Sequence, residues 1–146
     1  MHTYPPIPAL LVALLICLPS VGHGQFQALD QLGQVDFVNS CSPAVQGTLQ
    51  RGIAMLHSFW FSESEKTFRA VLTQEPACAI ATWGIAAALM ANPLAGHGPS
   101  AQDAQRAQAA IAEGYGIGPQ TQSERDYLDA VAAYYQEWET RPEPAR

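Results

Sequence analysis

The sequence predicts an all-α fold in which helical hairpins stack side by side as an α-solenoid. Three observations carry this. Apolar residues recur at helical spacing in five segments between Pro43 and Trp138, each bounded by a capping residue, a proline or a glycine. The first and third segments begin near Pro43 and Ala77, 34 positions apart, the length of one helical hairpin with its turns. The third segment, "ACAIATWGIAAALMA", is apolar on every side. It is too short to cross a bilayer, which takes about 20 residues, so it predicts a helix enclosed by neighbours.

The elements follow in order. The first helix starts at Ser42-Pro43, where a hydroxyl is placed for the orphan backbone donors and a proline costs no hydrogen bond. Val45, Leu49, Ile53 and Leu56 form its stripe. Ser62 and Glu65 have the spacing of a capping box for the second helix. That helix buries Phe68, Val71 and Leu72 and stops at Pro76. The third helix spans about 77–91 and ends at Asn92-Pro93. Its small residues Ala81, Gly84, Ala86, Ala87 and Ala88 permit close approach of neighbours. Ser100 caps the fourth helix, 101–113, with Asp103 in its first turn and Gly114 as its terminator. Thr121 and Glu124 form a second capping box. The fifth helix then carries Tyr127, Leu128, Val131, Tyr134, Tyr135 and Trp138 at helical spacing, up to Arg141-Pro142.

The N-terminal part differs in kind. Ile7 to Leu18 is an unbroken apolar run, followed by Pro19-Ser20 and the small residues of "SVGHG". This reads as a signal peptide over 1–24, cleaved after Gly22 or Gly24, against the alternatives of a buried helix or an uncleaved anchor. An irregular or extended lead-in, 25–40, comes next. Removal of Cys17 with the leader leaves two cysteines, Cys41 and Cys78, and an exported chain with an even count admits one disulfide between them. Two separate thiols, with Cys78 a small buried apolar residue, are the alternative.

The 34-residue offset invites comparison with the tetratricopeptide pattern. Gly52, Ser64, Phe68 and Pro76 fall at its Gly, small-residue, Phe and closing-Pro positions, and Phe61 takes the aromatic position before the turn. This divides the chain into repeat 1 (41–76), a degenerate repeat 2 (77–114), the first helix of repeat 3 (121–139) and a tail (140–146). In repeat 2, Ile85 fits, Ala86 replaces the Gly and Trp83 falls one place late. The stretches "LQRGIAMLHSFWFSESEKTF", "EPACAIATWGIAAALMANPL" and "SERDYLDAVAAYY" resemble a bacterial family of exported tetratricopeptide-repeat proteins, from about Cys41 to Tyr135. The second stretch of that family reads closer to Asp-Pro-x-Cys-Ala-Met-Ala-Tyr-Trp-Gly, from which Glu75, Ile80 and Thr82 depart conservatively. The resemblance implies a repeat scaffold and no reaction. Its members tend to be longer, so the fifth helix reads either as the first half of a continued repeat in a longer protein or as a cap.

The repeat positions place Gln46, Leu49, Ile53, Leu56, His57, Trp83, Ala87 and Met90, with Ile80 beside them, on the concave face. There they form either a groove for a peptide or partner helix or simple packing against the next repeat. With thirteen acids against seven scattered bases and a net charge of −6, nucleic acid is excluded as a partner. After signal cleavage no stable membrane insertion is expected. Cys41, His57, Cys78 and His97 lack ligand spacing, so no metal and no cofactor are expected. Ser58 and Ser62 stand outside any Gly-x-Ser-x-Gly setting, and Gly114, Gly116 and Gly118 read as a loop rather than a phosphate or dinucleotide cradle. No catalytic residue is assigned. The expected function is a periplasmic or secreted scaffold that binds a protein or peptide. The alternative is the N-terminal repeat module of a larger enzyme or ligand-binding protein whose active residues lie beyond Arg146.

Overall fold

The computed structural model describes residues 32–95 and 98–140, together with Met1. The expected signal peptide beyond Met1, the first part of the lead-in, His97 and the end of the tail lie outside the described residues. Among the described residues there are five α-helices and no strand: α1 (Pro43–His57), α2 (Phe61–Gln74), α3 (Ile80–Ala88), α4 (Ala101–Ile117) and α5 (Gln122–Tyr135), with a 3-10 turn at Pro93–Ala95. No helix among them is long and apolar enough to cross a membrane.

Consecutive helices pack against one another, and α1 also touches α3, and α3 touches α5. The result is two layers, α1/α3/α5 and α2/α4. The apolar third segment is thereby explained: α3 contacts each of the other four α-helices, and none of its nine residues is exposed. Its one hydroxyl, on Thr82, donates to the Ala79 carbonyl at 2.8 Å, so that buried group is paired.

Phe68 of α2, 0% exposed, is the centre of the packing. Its ring lies against Gly52 of α1 and Gly84 of α3. A Cβ at Gly52 would stand 3.0 Å from the ring and one at Gly84 only 2.4 Å. Beside it, the buried Ser64 hydroxyl donates to the Gly52 carbonyl at 2.8 Å, a cross-helix bond that an alanine at that position could not make. On the far side of α3, the buried Tyr135 hydroxyl donates to the Ala86 carbonyl at 3.0 Å and ties α5 to α3.

Helix limits depart from the sequence expectation at four places. α2 begins at Phe61, so Ser62 sits inside the first turn and forms no capping box. The tight 58–60 turn, with the Trp60 N–H on the Met55 carbonyl at 2.9 Å, sets that start. Glu65 instead accepts from Arg69 at 2.8 Å and from Arg106 of α4. α3 is shorter than 77–91, because the residues ahead of it turn tightly, with the Cys78 N–H on the Glu75 carbonyl at 3.0 Å. α4 runs through Gly114 to Ile117 and is capped at Gly118, φ 89°. Gly114 is a packing residue: a Cβ there would lie 2.1 Å from the Thr82 hydroxyl of α3. α5 ends at Tyr135, and Trp138 follows in a turn where Glu137 takes φ 55°. Ser100 and the Thr121–Glu124 box do cap α4 and α5.

Candidate functional site

The site begins with four successive residues, each tied to a different element. The Asn39 side chain exchanges two hydrogen bonds with Gln46 of α1, at 2.9 and 2.8 Å. The Ser40 N–H and hydroxyl both donate to Glu124 Oε1 of α5, at 2.7 Å each. Cys41 is joined by a disulfide to Cys78 ahead of α3, with Cα atoms 5.0 Å apart. The Ser42 N–H and hydroxyl donate to the Glu75 carboxylate at the end of α2, at 2.9 and 2.5 Å. Ser42 therefore occupies the N-cap position without capping by its side chain.

Glu124 is 1% exposed and accepts four hydrogen bonds. Besides the two from Ser40, the N–H groups of Gln120 and Thr121 donate to Oε2 at 2.9 and 3.1 Å. Burial alone would raise the carboxyl pKa. The donors from Ser40, Thr121 and Gln120 outweigh it and hold the pKa below its ordinary value. A depressed folded pKa contributes stability that is complete above the unfolded value, about 4.3, and is lost as the pH falls through the folded value. Glu124→Gln is expected to cost about 2–3 kcal/mol at neutral pH, since either orientation of the amide sets an NH2 against two donors. Urea denaturation against pH checks it. The wild-type protein should lose stability below about pH 4, and the variant should lack that part of the loss. Parallel acid profiles would contradict it.

From this anchor the lead-in runs back along the face of the α1/α3/α5 layer. Burial alternates along it: Val35, Phe37 and Asn39 are half-buried, whereas Asp36, Val38 and Ser40 are exposed. That is the period of an extended segment. The Phe37 ring stacks on Trp83 of α3, with centroids 5.6 Å apart and planes 7° from parallel. Tyr127 of α5 closes the third side, 5.2 Å from Phe37 and 4.9 Å from Trp83. Under residues 32–36 the segment stands off from α1 and leaves a cleft of about 480 Å³ over Gly47, Gln50, Arg51 and Ala54.

The residues assigned to a concave groove are thus divided. Leu49 and Ile53 are core side chains, 1% and 3% exposed, and offer a partner no surface. A charge at Ile53 tests folding rather than binding. Ile80 is buried with them. Gln46 is committed to Asn39 and to the Cys41 carbonyl, 2.7 Å away. Leu56, Trp83, Ala87 and Met90 are half-buried and His57 is exposed. The burial of Leu49 and Ile53 follows from α1 packing on both α2 and α3. Sequence reasoning missed Phe37 and Tyr127. The faint alternation of the lead-in was the available signal for Phe37.

A second cleft, about 510 Å³, lies between α4 and α5 over Ile111, Ala112, Ala132 and Ala133. At its edge the Tyr115 hydroxyl donates to Asp129 at 2.6 Å. Burial and then the Asp129 carboxylate push its pKa up to about 12, so it stays protonated. Cys41 and Cys78 are bonded to each other, and among the described residues no three His, Cys, Asp or Glu side chains are grouped to hold a metal ion. No protein-family model, curated protein or solved structure matches this chain, so the geometry of the layer face is what bears on function.

Proposed function

We propose that this chain is an exported tetratricopeptide-type repeat scaffold that binds a protein partner on the α1/α3/α5 face and performs no reaction of its own. The observation that carries this is the occupancy of that face by an extended apolar segment, with Phe37 packed against Trp83 and Tyr127. Such a face suits recognition of an extended peptide by side chains at alternate positions. The repeat reading is supported by the contacts α1·α3 and α3·α5 alongside those of sequence neighbours. It is also supported by the meeting of Gly52, Ser64 and Phe68, three of the pattern positions, at one point of the core. Among the described residues the three non-glycine residues of positive φ, Phe59, Ala91 and Glu137, each follow an α-helix of the same layer, so the chain leaves α1, α3 and α5 by a similar turn. Export is supported by the apolar run Ile7–Leu18 and by the disulfide, which belongs to an oxidising compartment.

Photo-crosslinking in the exported compartment of the native cell tests the reading. A crosslinking side chain at the exposed His57, the last residue of α1, is expected to give one discrete protein adduct, identified by mass spectrometry. The same probe at Lys66 on α2 should give none. The adduct should disappear in Tyr127→Asp while helicity is retained. Equal adducts from both positions, or none from His57, would remove this function.

A further inference from the structure

Within the scaffold reading, and resting on it, we propose that residues 32–38 are a displaceable internal ligand. They hold the place that an extended partner segment takes when it brings an aromatic side chain to Trp83 and Tyr127.

Three observations point the same way. First, the segment is held by side chains and not by its backbone. Among the described residues no N–H from Leu32 to Val38 is hydrogen-bonded to a helix, and the Phe37 carbonyl accepts only from the nearby Asn39 side chain, at 2.8 Å. Its release therefore breaks no backbone ladder. Second, among the described residues ahead of the anchor, the segment touches the core only through the alternate side chains Val35 and Phe37. A cleft of about 480 Å³ lies between Leu32–Asp36 and α1, so displacement frees the half-buried Val35 and Phe37 side chains without first opening the core. Third, residues 39–42 are fixed by Gln46, Glu124, Cys78 and Glu75. A displaced segment stays tethered beside its socket and rebinds as an intramolecular ligand.

The socket defines the partner's chemistry. The near-parallel Trp83 plane and the tilted Tyr127 ring accept a flat ring in offset stacking. Val35, two residues before Phe37, packs on the same side, as the period of an extended chain requires. The partner segment is thus extended, with an aromatic residue two positions after a β-branched one. It must compete with a tethered copy of the same pattern, so partner affinity is set partly by the lead-in.

The test uses the full chain with its disulfide intact, as wild type and as Phe37→Ala. The probe is a fluorescein-labelled peptide of residues 33–40, GQVDFVNS, with a control peptide carrying Ala at its Phe. Fluorescence polarisation is expected to show the peptide binding Phe37→Ala at least about tenfold more tightly than wild type, whose socket is open only part of the time. The control peptide should bind neither. Phe37→Leu keeps an apolar side chain in place and should give the same order with a smaller ratio. It takes the place of Phe37→Ala if that chain does not melt cooperatively. Equal affinities for wild type and variants, or no binding to either variant, would overturn the proposal. The measurement needs no natural partner. Peptide binding without a His57 adduct would uphold the internal ligand and remove the scaffold function, and a retained adduct without peptide binding would do the reverse.

Discussion

Phe68→Ala should lower stability by about 3–5 kcal/mol, the range for deleting a fully buried phenylalanine. The ring is 0% exposed and wedged between two helices of the opposite layer, each of which meets it with a glycine. Those glycines let the backbones close around the ring, so little is free to collapse into the space left behind. The converse substitution makes the point sharper. Alanine is the better helix former by about 1 kcal/mol, so Gly84→Ala would stabilise an isolated α3. In the protein its Cβ would lie 2.4–2.5 Å from three atoms of the Phe68 ring. Overpacking of this kind costs about 1–3 kcal/mol or more, and the sign reverses. Gly52→Ala, with its nearest ring atom at 3.0 Å, should be milder. The two residues are coupled: in Phe68→Leu the Gly84→Ala penalty should shrink by about 1 kcal/mol in a double-mutant cycle. Urea denaturation of the four proteins measures this. A Gly84→Ala chain as stable as wild type, or strict additivity, would show that the ring does not fix the α1–α3 spacing.

Much of this was legible in the sequence because it is local. Caps, terminators and helical periodicity act within a few residues. The Thr121–Glu124 box, the Ser100 cap and the proline start of α1 could therefore be placed without a structure. The enclosed helix was legible for a different reason: an all-apolar segment too short for a membrane has to be covered by something. What was not legible depends on contacts between distant residues. Gly114 has the composition of a terminator, and only the approach of Thr82 from α3 makes it an interior residue. Ser62 and Glu65 have the spacing of a cap, but Arg106, 41 positions after Glu65, draws the carboxylate away. Leu49 and Ile53 were expected on a concave, partner-binding face from their sequence positions, yet they are buried where α1 meets its neighbours.

The anchor at residues 39–42 was the least legible part of the site. Asn39, Ser40 and Ser42 are common residues for a helix start, and nothing local announces that their partners lie at 46, 124 and 75. Of the four ties only Cys41–Cys78 had a signal of its own. The four together convert what looks like a lead-in into a junction that joins α1, the end of α2, the turn before α3 and the start of α5. That junction sets where the lead-in enters the layer face, and hence which residue meets Trp83.

Removal of the disulfide tests how the work is shared among those ties. Cys41→Ala/Cys78→Ala is expected to lose about 4 kcal/mol. The two cysteines are 37 positions apart, and opening a loop of that length restores about this much chain entropy to the unfolded state. The thermal midpoint should fall by roughly 10–20 °C for a domain of this size. Alanine is the right replacement, because both cysteines are buried, at 7% and 1% exposure, and a serine hydroxyl would add a desolvation cost of its own. The native face should nevertheless survive. Gln46, Glu124 and Glu75 still hold Asn39, Ser40 and Ser42, so Phe37 should remain stacked on Trp83 at 25 °C. The near-ultraviolet circular dichroism of that aromatic cluster should then match wild type well below the new midpoint. A destabilised chain with an intact aromatic signal would place the disulfide's effect in the unfolded state. Loss of that signal before unfolding would mean that the bond itself positions the lead-in and that the three hydrogen-bonded ties are too weak to do so. An unchanged midpoint, together with Cys41 and Cys78 both labelled on alkylation of the wild-type protein from its native cell without reductant, would show that the bond does not form in the cell.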